Sequence, residues 1–210
     1  MYEYLYFWSR RKNRCGSRSL CTGKRLSCGC FCIQRELKKS LPSKIKFIQG
    51  NVLNYDDVRK AVDGADAVIS VDGHIQGSHP LMQTKGMQSI VQTMKAHGVS
   101  RFLSLTGTGV RIVGDRPSIL DRILNITVGI VDPDRVYNGI EHEKILQSSG
   151  LVWTVVRVLK LSKSDKSFKS YELTEGGPAE MVTSRKKVAH VLVDLVEDKK
   201  YIGKMPVISR

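Results

Sequence analysis

Hydrophobic and polar positions fall into two regimes along this chain, and the change comes near residue 40. Downstream, the pattern is regular. Lys44–Gln49 alternates apolar and polar positions and ends at Gly50, which predicts a short strand. Asn54–Asp63 carries Val58 and Val62 four apart behind Asp56 and Asp57, the spacing of a helix with acids at its positive end. Ala65–Val71 reads as a buried strand closed by Asp72-Gly73. Met87, Ile90, Val91 and Met94 mark one face of a helix within Pro80–His97, closed by Gly98. Arg101–Thr106 is the next strand, Asp134–Ser149 a helix ending at Gly150, and Leu151–Val158 a further strand. Val188, Val191, Leu192, Leu195 and Val196 give a last amphipathic helix with Ser184 as its cap, and Met205–Ile208 a short final strand. Lys160–Gly177, rich in Ser, Lys and Gly, reads as a long surface loop or small lid.

Strands alternating with helices across short turns predict an α/β fold, a doubly wound parallel sheet of Rossmann-like type in one domain over residues 37–210. Ligands of such sheets sit beyond the carboxyl ends of the strands. That places Gly50-Asn51, Asp72-Gly73-His74, Thr106-Gly107-Thr108 and Arg157-Val158 on one rim.

The first 36 residues follow no such pattern. They run through YEYLYFWSRRKNRCGSRSLCTGKRLSCGCFCIQRE, where a first strand, a glycine-rich phosphate loop, a helix and a second strand are due. Gly16, Gly23 and Gly29 are spaced by seven and six, whereas a phosphate loop needs backbone N–H groups gathered at a helix start.

Charge separates the same two parts. The formal net charge is +14, and residues 1–48 supply 12 Lys and Arg against only Glu3 and Glu36. The body is therefore mildly basic, and no nucleic-acid module is evident, so no nucleic-acid partner is expected. All five cysteines, Cys15, Cys21, Cys28, Cys30 and Cys32, lie in the head. A disulfide scaffold would pin the body instead. The C-x-C-x-C run lacks the C-x₂-C spacing and nearby His of structural zinc sites, so no metal is expected. No stretch of 18 apolar residues and no apolar signal core is visible, so neither a membrane span nor secretion is expected, and the expected location is a reducing cytoplasm.

The segments IQGNVLNYDDVRKAVDGADAVISVDG, MKAHGVSRFLSLTGTGV, EHEKILQSSGLVWTVVRV, MVTSRKKVAHVL and YIGKMPVIS together resemble the atypical short-chain dehydrogenase/reductases, specifically the NmrA-like and biliverdin/flavin reductase-like group, over about residues 44–210. The resemblance implies an NAD(P)-binding sheet. It implies adenine contacts at Asn51 and Val52, with Asn51 standing where the family usually has Asp. It implies a ribose-side position at Gly73, after Asp72. It places Thr106, followed by Gly107, beside nicotinamide and substrate, and Arg157-Val158 in the nicotinamide pocket. Arg35, Lys38 and Lys39 stand where a cation for the 2′-phosphate of NADP is placed, which leans the cofactor toward NADP over NAD. An ordinary solvated basic turn also explains those three.

One departure bears on chemistry. The Tyr-x-x-x-Lys pair, in which Lys lowers the phenol's pKa, is replaced by Tyr137 and Glu141. Proton delivery then falls to Thr106, His142 or water. Structural roles compete for each: a backbone hydrogen bond for Thr106, a helix surface for His142, a buried ion pair for Arg157. Two functions follow: an NAD(P)H-dependent oxidoreductase that passes hydride to a small acceptor such as a flavin or quinone, or a dinucleotide sensor without turnover. No oligomeric state is legible.

The genetic code offers an origin for the head. Shifting the frame by one base over residues 6–34 forces glycine at Trp8, whose codon is unique. Wobble positions then permit IFGAGGKTGVAVAAFALEKGYHVAVFV, which is strand, G-x-x-G-x-x-G loop, amphipathic helix and strand. A frame shift in the underlying gene is thus the expected origin, with a natural basic Cys-rich segment as the alternative. Read as it stands, the head is expected to bind a dinucleotide weakly and to leave the sheet without its central strand. A disrupted gene's product would neither bind nor unfold cooperatively.

Overall fold

The computed structural model describes residues 3–8, 27–32, 46–72, 81–162 and 170–209. In chain order the elements are β1 (Glu3–Trp8), β2 (Ser27–Cys32), β3 (Lys46–Gln49), α1 (Tyr55–Val62), β4 (Ala67–Ser70), α2 (Met82–Ala96), β5 (Arg101–Gly107), α3 (Ile119–Val131), α4 (Pro133–Gln147), β6 (Val152–Val158), β7 (Leu161–Ser162), β8 (Leu173–Thr174), β9 (Thr183–Ser184), α5 (Arg185–Glu197) and β10 (Val207–Ile208). An eight-stranded sheet runs β3-β2-β1-β4-β5-β6-β10-β8, and β7 pairs with β9 apart from it. Every pair in the large sheet is parallel except β10 with β8. This is the doubly wound, Rossmann-like sheet that the alternating pattern predicts.

Alternation along the strands divides the core between two faces. Val68, Phe102 and Val155 pack with Val58, Met87, Ile90, Met94 and Leu146, under α1, α2 and α4. Ile69, Leu103 and Val156 point the other way onto Val188, Val191, Leu192 and Leu195 of α5. Each helix start has a local cause. Asn54 Oδ1 accepts from Asp57 N at 3.2 Å, and Ser184 Oγ accepts from Lys187 N at 3.1 Å. Gly98 and Gly150 sit at φ of +70° and +71° just past α2 and α4, a backbone state that favours glycine.

Two expectations need correction. The head does not leave the sheet without its central strand, because β1 lies between β2 and β4, with Tyr4 paired to Cys28 on one side and Ala67 on the other. Its sequence, EYLYFW, is rich in the aromatic residues that favour strands. The C-x-C-x-C run lies on β2, which pairs with β3. Residues 9–26, where a phosphate loop and helix are due, lie outside the described residues, as do Arg35, Lys38 and Lys39. Lys160–Gly177 is not one loop. Its Leu161–Ser162 pairs with Thr183–Ser184, and its Leu173–Thr174 adds an antiparallel edge to β10. Helix α3 has no counterpart in the sequence reading.

Candidate active site

Register brings the strand ends together. Ser70 pairs with Ser104, Thr106 with Arg157, and Gly107 with Val158. Beyond these ends lies a cavity of about 160 Å³. Its floor is built from Val71 and Asp72 after β4, Leu105–Gly107 of β5, and Val158 and Leu159 after β6. Gln83 of α2, Asn125 and Val128 of α3, and Arg135 and Val136 of α4 close the sides. The walls are mostly aliphatic, with a few polar groups converging, which is the usual composition of a small-molecule site.

Helix α4 reaches this rim because Gly139 has no side chain. A Cβ there would stand 2.5 Å from Val110 Cγ2 and 3.3 Å from Thr106 Oγ1. Helix α3 is pinned by a buried carboxylate. Asp121 accepts from Thr108 Oγ1 at 2.9 Å, also contacts Asn125 Nδ2, and lies 3.6 Å from Arg111 Nη1. Ser118 caps the same helix by accepting from Asp121 N at 3.1 Å.

Of the residues expected on the rim, Asp72, Thr106, Gly107 and Val158 all line the cavity. Gly73 and His74 lie outside the described residues. Asn51 is exposed and turned into its own loop, where Oδ1 accepts from Leu53 N at 3.0 Å and its N–H donates to Asp57 Oδ2. Val52 packs on Gly86, with Cγ1 3.0 Å from where a Cβ would be. Neither residue lines the cavity.

Arg157 also faces away from the cavity. Its Nη1 and Nη2 hold both oxygens of Asp115 at 2.5 and 2.7 Å. Nε donates to Met205 O at 2.8 Å and Nη1 to Val110 O at 3.0 Å. Burial alone would raise the Asp115 carboxyl, but the hydrogen bond from Arg157 overrides it and holds the pKa below the usual value. The ion-pair role is therefore the one this geometry supports: Arg157 ties the 110–116 loop to β6.

His142 is 1% exposed and stands behind the cavity. Nε2 meets Ser104 Oγ at 2.9 Å and Nδ1 meets Gln83 Nε2 at 3.5 Å. Burial lowers its pKa to about 4, so it is neutral at pH 7. Gln83, which also donates to Asp72 O at 3.3 Å, is the member of this chain that reaches the cavity. A helix-surface histidine was the alternative in sequence, and the structure places His142 inside.

Asp72 is the acid of the cavity. Desolvation pushes its carboxyl up to about 6, against a smaller lowering from the Ser70 hydroxyl at 3.5 Å. Because the folded pKa is raised, the protonated form is favoured. That stability is fully present below the unfolded value of 3.8 and is lost as pH rises through about 6. Asp72→Asn is therefore expected to add about 1 kcal/mol of stability at pH 4.5 and up to about 3 kcal/mol at pH 8. Melting curves at the two pH values check this, and an equal effect at both would refute a raised pKa.

Gln83, Asn125 and Arg135 escape a strand-end reading because helices deliver them. The sequence marks the starts of these helices with Ser118 before an apolar run and with Asp132-Pro133 ahead of the helix expected over Asp134–Ser149. Asp132 Oδ1 does accept from Arg135 N at 3.2 Å.

The family described as NAD(P)H-binding matches residues 34–199. Among solved structures, a Rossmann-fold NAD(P)-binding family protein from Shigella flexneri is 22% identical, with a TM-score of 0.74 over 100% of this chain and 94% of that one. A short-chain dehydrogenase/reductase from Veillonella parvula DSM 2008, in complex with NADP, is 17% identical, with a TM-score of 0.78 over 100% and 94%. ChuY, an anaerobillin reductase from Escherichia coli O157:H7, is 15% identical, with a TM-score of 0.79 over 99% and 96%. At these identities the structures speak for the fold, and the family match speaks for the dinucleotide. The chain belongs to the NAD(P)H-binding family.

Proposed function

We propose that this protein is an NAD(P)H-dependent oxidoreductase of the atypical short-chain group, acting on a small planar acceptor such as a flavin or quinone. The observation that carries the reading is the cavity at the carboxyl ends of β4, β5 and β6, where Asp72, Gln83, Thr106 and Asn125 converge inside aliphatic walls. The donor set fits a nicotinamide. Gln83, Thr106 and Asn125 offer the donors and acceptors that a carboxamide takes, and Val71, Leu105 and Val158 offer walls for a ring. The dinucleotide, when bound, supplies the hydride. The chain supplies the proton and the exclusion of water. Asp72 holds a proton at its carboxyl below about pH 6, and Thr106 can pass or share one at its hydroxyl. NADP is the preferred form in this reading, supported by the basic Arg35, Lys38 and Lys39 and by the NADP complex of a structural neighbour.

A sensor without turnover is the second reading, favoured by one observation. Tyr137 is 51% exposed, and the residue four positions on, Glu141, is occupied by Lys144 at 2.8 Å. Lys144 lies within electrostatic reach of Tyr137, but its ammonium is bonded to Glu141 rather than to the phenol. The test is steady consumption of NADPH with FMN, riboflavin or menadione, on protein first shown to bind NADPH by fluorescence. Turnover that falls at least tenfold in Asp72→Asn supports the oxidoreductase. Binding with no turnover on any acceptor supports the sensor.

A further inference from the structure

Two side-chain amides reach the cavity, and both have their NH2 groups committed elsewhere. Gln83 is 8% exposed. Its Nε2 stands 3.3 Å from Asp72 O and 3.5 Å from His142 Nδ1. A backbone carbonyl can only accept, so the amide atom facing Asp72 O must be the nitrogen. His142 Nδ1 then accepts the second hydrogen, and the Nε2–H of the same ring donates to Ser104 Oγ at 2.9 Å. The polar atom that Gln83 has left for a ligand is Oε1, to which no described residue donates.

Asn125 repeats the arrangement from α3. Its Nδ2 donates to Asp121 O at 2.8 Å and to Thr108 Oγ1 at 3.0 Å, and it also contacts Asp121 Oδ1. The Thr108 hydroxyl places its own hydrogen on Asp121, so toward Asn125 it accepts. Turning this amide over would set Oδ1 against a carbonyl and a carboxylate. Oδ1 is therefore the atom left for a ligand. It lies 3.0 Å from where a Cβ of Gly109 would be, and Gly109 lines the same cavity. A side chain there would cap the oxygen, and glycine leaves it bare.

The cavity thus offers two carbonyl oxygens fixed as acceptors, with Thr106 and Arg135 supplying donors along the same lining. A ligand that shuts out water without bringing a donor to such an acceptor loses about tenfold or more in affinity. A quinone carries carbonyls only and would set oxygen against oxygen. An amide edge, with N–H beside C=O, satisfies both kinds of group. We propose that the cavity selects a ring bearing an amide-type N–H, as in a lactam, an imide or a carboxamide, through Gln83 Oε1 and Asn125 Oδ1, and rejects a ring whose polar groups are carbonyls alone. This selection rests on the oxidoreductase reading of the cavity and deepens it: a flavin, whose imide carries an N–H, fits where a quinone does not.

Binding of small rings to the full chain, followed by ligand-observed NMR without cofactor, reads this directly. Two matched pairs differ at the N–H: 2-quinolinone and coumarin, where a ring oxygen replaces it, and nicotinamide and 3-acetylpyridine, where a methyl replaces the NH2. The N–H member is expected to bind at least about tenfold more tightly than its match. Discrimination in the lactam pair assigns the two oxygens to the acceptor, and discrimination in the nicotinamide pair alone assigns them to the cofactor's carboxamide. Gln83→Met is expected to bring the ratio within about threefold by removing one acceptor at nearly constant volume. Gly109→Ala caps Asn125 Oδ1 without touching the Gln83 chain, is expected to lower the ratio as well, and decides the matter where Gln83→Met does not fold. Equal binding within both pairs overturns the proposal, as does a ratio indifferent to these substitutions. A chain that binds none of the four rings at ~10 mM overturns it too. Neither cofactor binding nor turnover enters the measurement, so a failed NADPH assay leaves its result standing, and a failed ring assay leaves the oxidoreductase reading to its own test.

Discussion

Replacing Arg157 with methionine is expected to destabilise the fold by about 3–5 kcal/mol while leaving the cofactor affinity of the folded fraction within about twofold of the parent. The guanidinium is 1% exposed and satisfies three partners: the Asp115 carboxylate, Met205 O and Val110 O. Methionine fills much of the volume but strands a buried carboxylate, whose pKa would then rise toward the value that burial alone dictates. Two unpaired carbonyls add to the cost. The 110–116 loop would loosen from β6, and with it the contact between Arg116 N and Gly176 O at 2.7 Å. Chemical denaturation of parent and variant, with NADPH titrations below the transition, separates the possible roles. A variant that keeps its stability but loses NADPH would show that Arg157 serves the cofactor after all. The double variant Arg157→Met with Asp115→Leu should recover much of the loss, because removing both members of a buried pair spares the stranded charge.

The second large effect concerns residues 6–34. A chain carrying IFGAGGKTGVAVAAFALEKGYHVAVFV in place of residues 6–32 is expected to bind NADPH at least a hundredfold more tightly than the chain as it stands. A pyrophosphate is held by backbone N–H groups at a helix start, where three glycines spaced by three permit close approach. WSRRKNRCG offers arginines and a lysine, which attract the phosphates over a distance but cannot reproduce that cradle. Equal affinity of the two chains would show that the basic head binds the dinucleotide in its own way. Sequencing the locus and matching peptide masses over residues 6–34 tests the frame itself.

The legible parts of this fold are those whose side chains face the core. Val58 and Val62, Met87 to Met94, and Val188 to Leu195 state their helices because their apolar positions are also their buried positions. Helix α3 inverts that rule. Its isoleucines face outward and its aspartate inward, so the periodicity exists but points at no core of this chain. Strand β8 is two residues long and exists because β10 offers an edge, a fact that Leu173 and Thr174 do not carry locally. β1 is a different case. EYLYFW has strand propensity, but the sequence after it lacks the glycine-rich motif that marks a first strand, and the sheet nonetheless seats it between β2 and β4.

The candidate site divides the same way. Asp72, Thr106, Gly107 and Val158 were legible because strand ends in a parallel sheet share one rim. Arg157 is on the same strand end, but its true partner is 42 residues away in a loop, and only folding brings Asp115 to it. His142 carried a chemical possibility that burial beside Ser104 and Gln83 turns into a structural one.

Asp132 closes α3, with its N–H on Val128 O, and opens α4, with its carboxylate on Arg135 N. One residue therefore serves as the pivot between two helices, with proline at the next position. A helix pivoted on one residue at one end and tethered at the other moves as a lever. Val128 stands about 6 Å along the axis from the pivot and Asp121 about 17 Å, at 1.5 Å per residue. A tilt that shifts Val128 by a few tenths of an ångström would drag Asp121 nearly three times as far, against its bond to Thr108 and its ion pair with Arg111. The far end is the tethered end, and the cavity wall is the short arm. Any widening of the cavity at Val128 therefore works against the Asp121 tether at the far end of the helix.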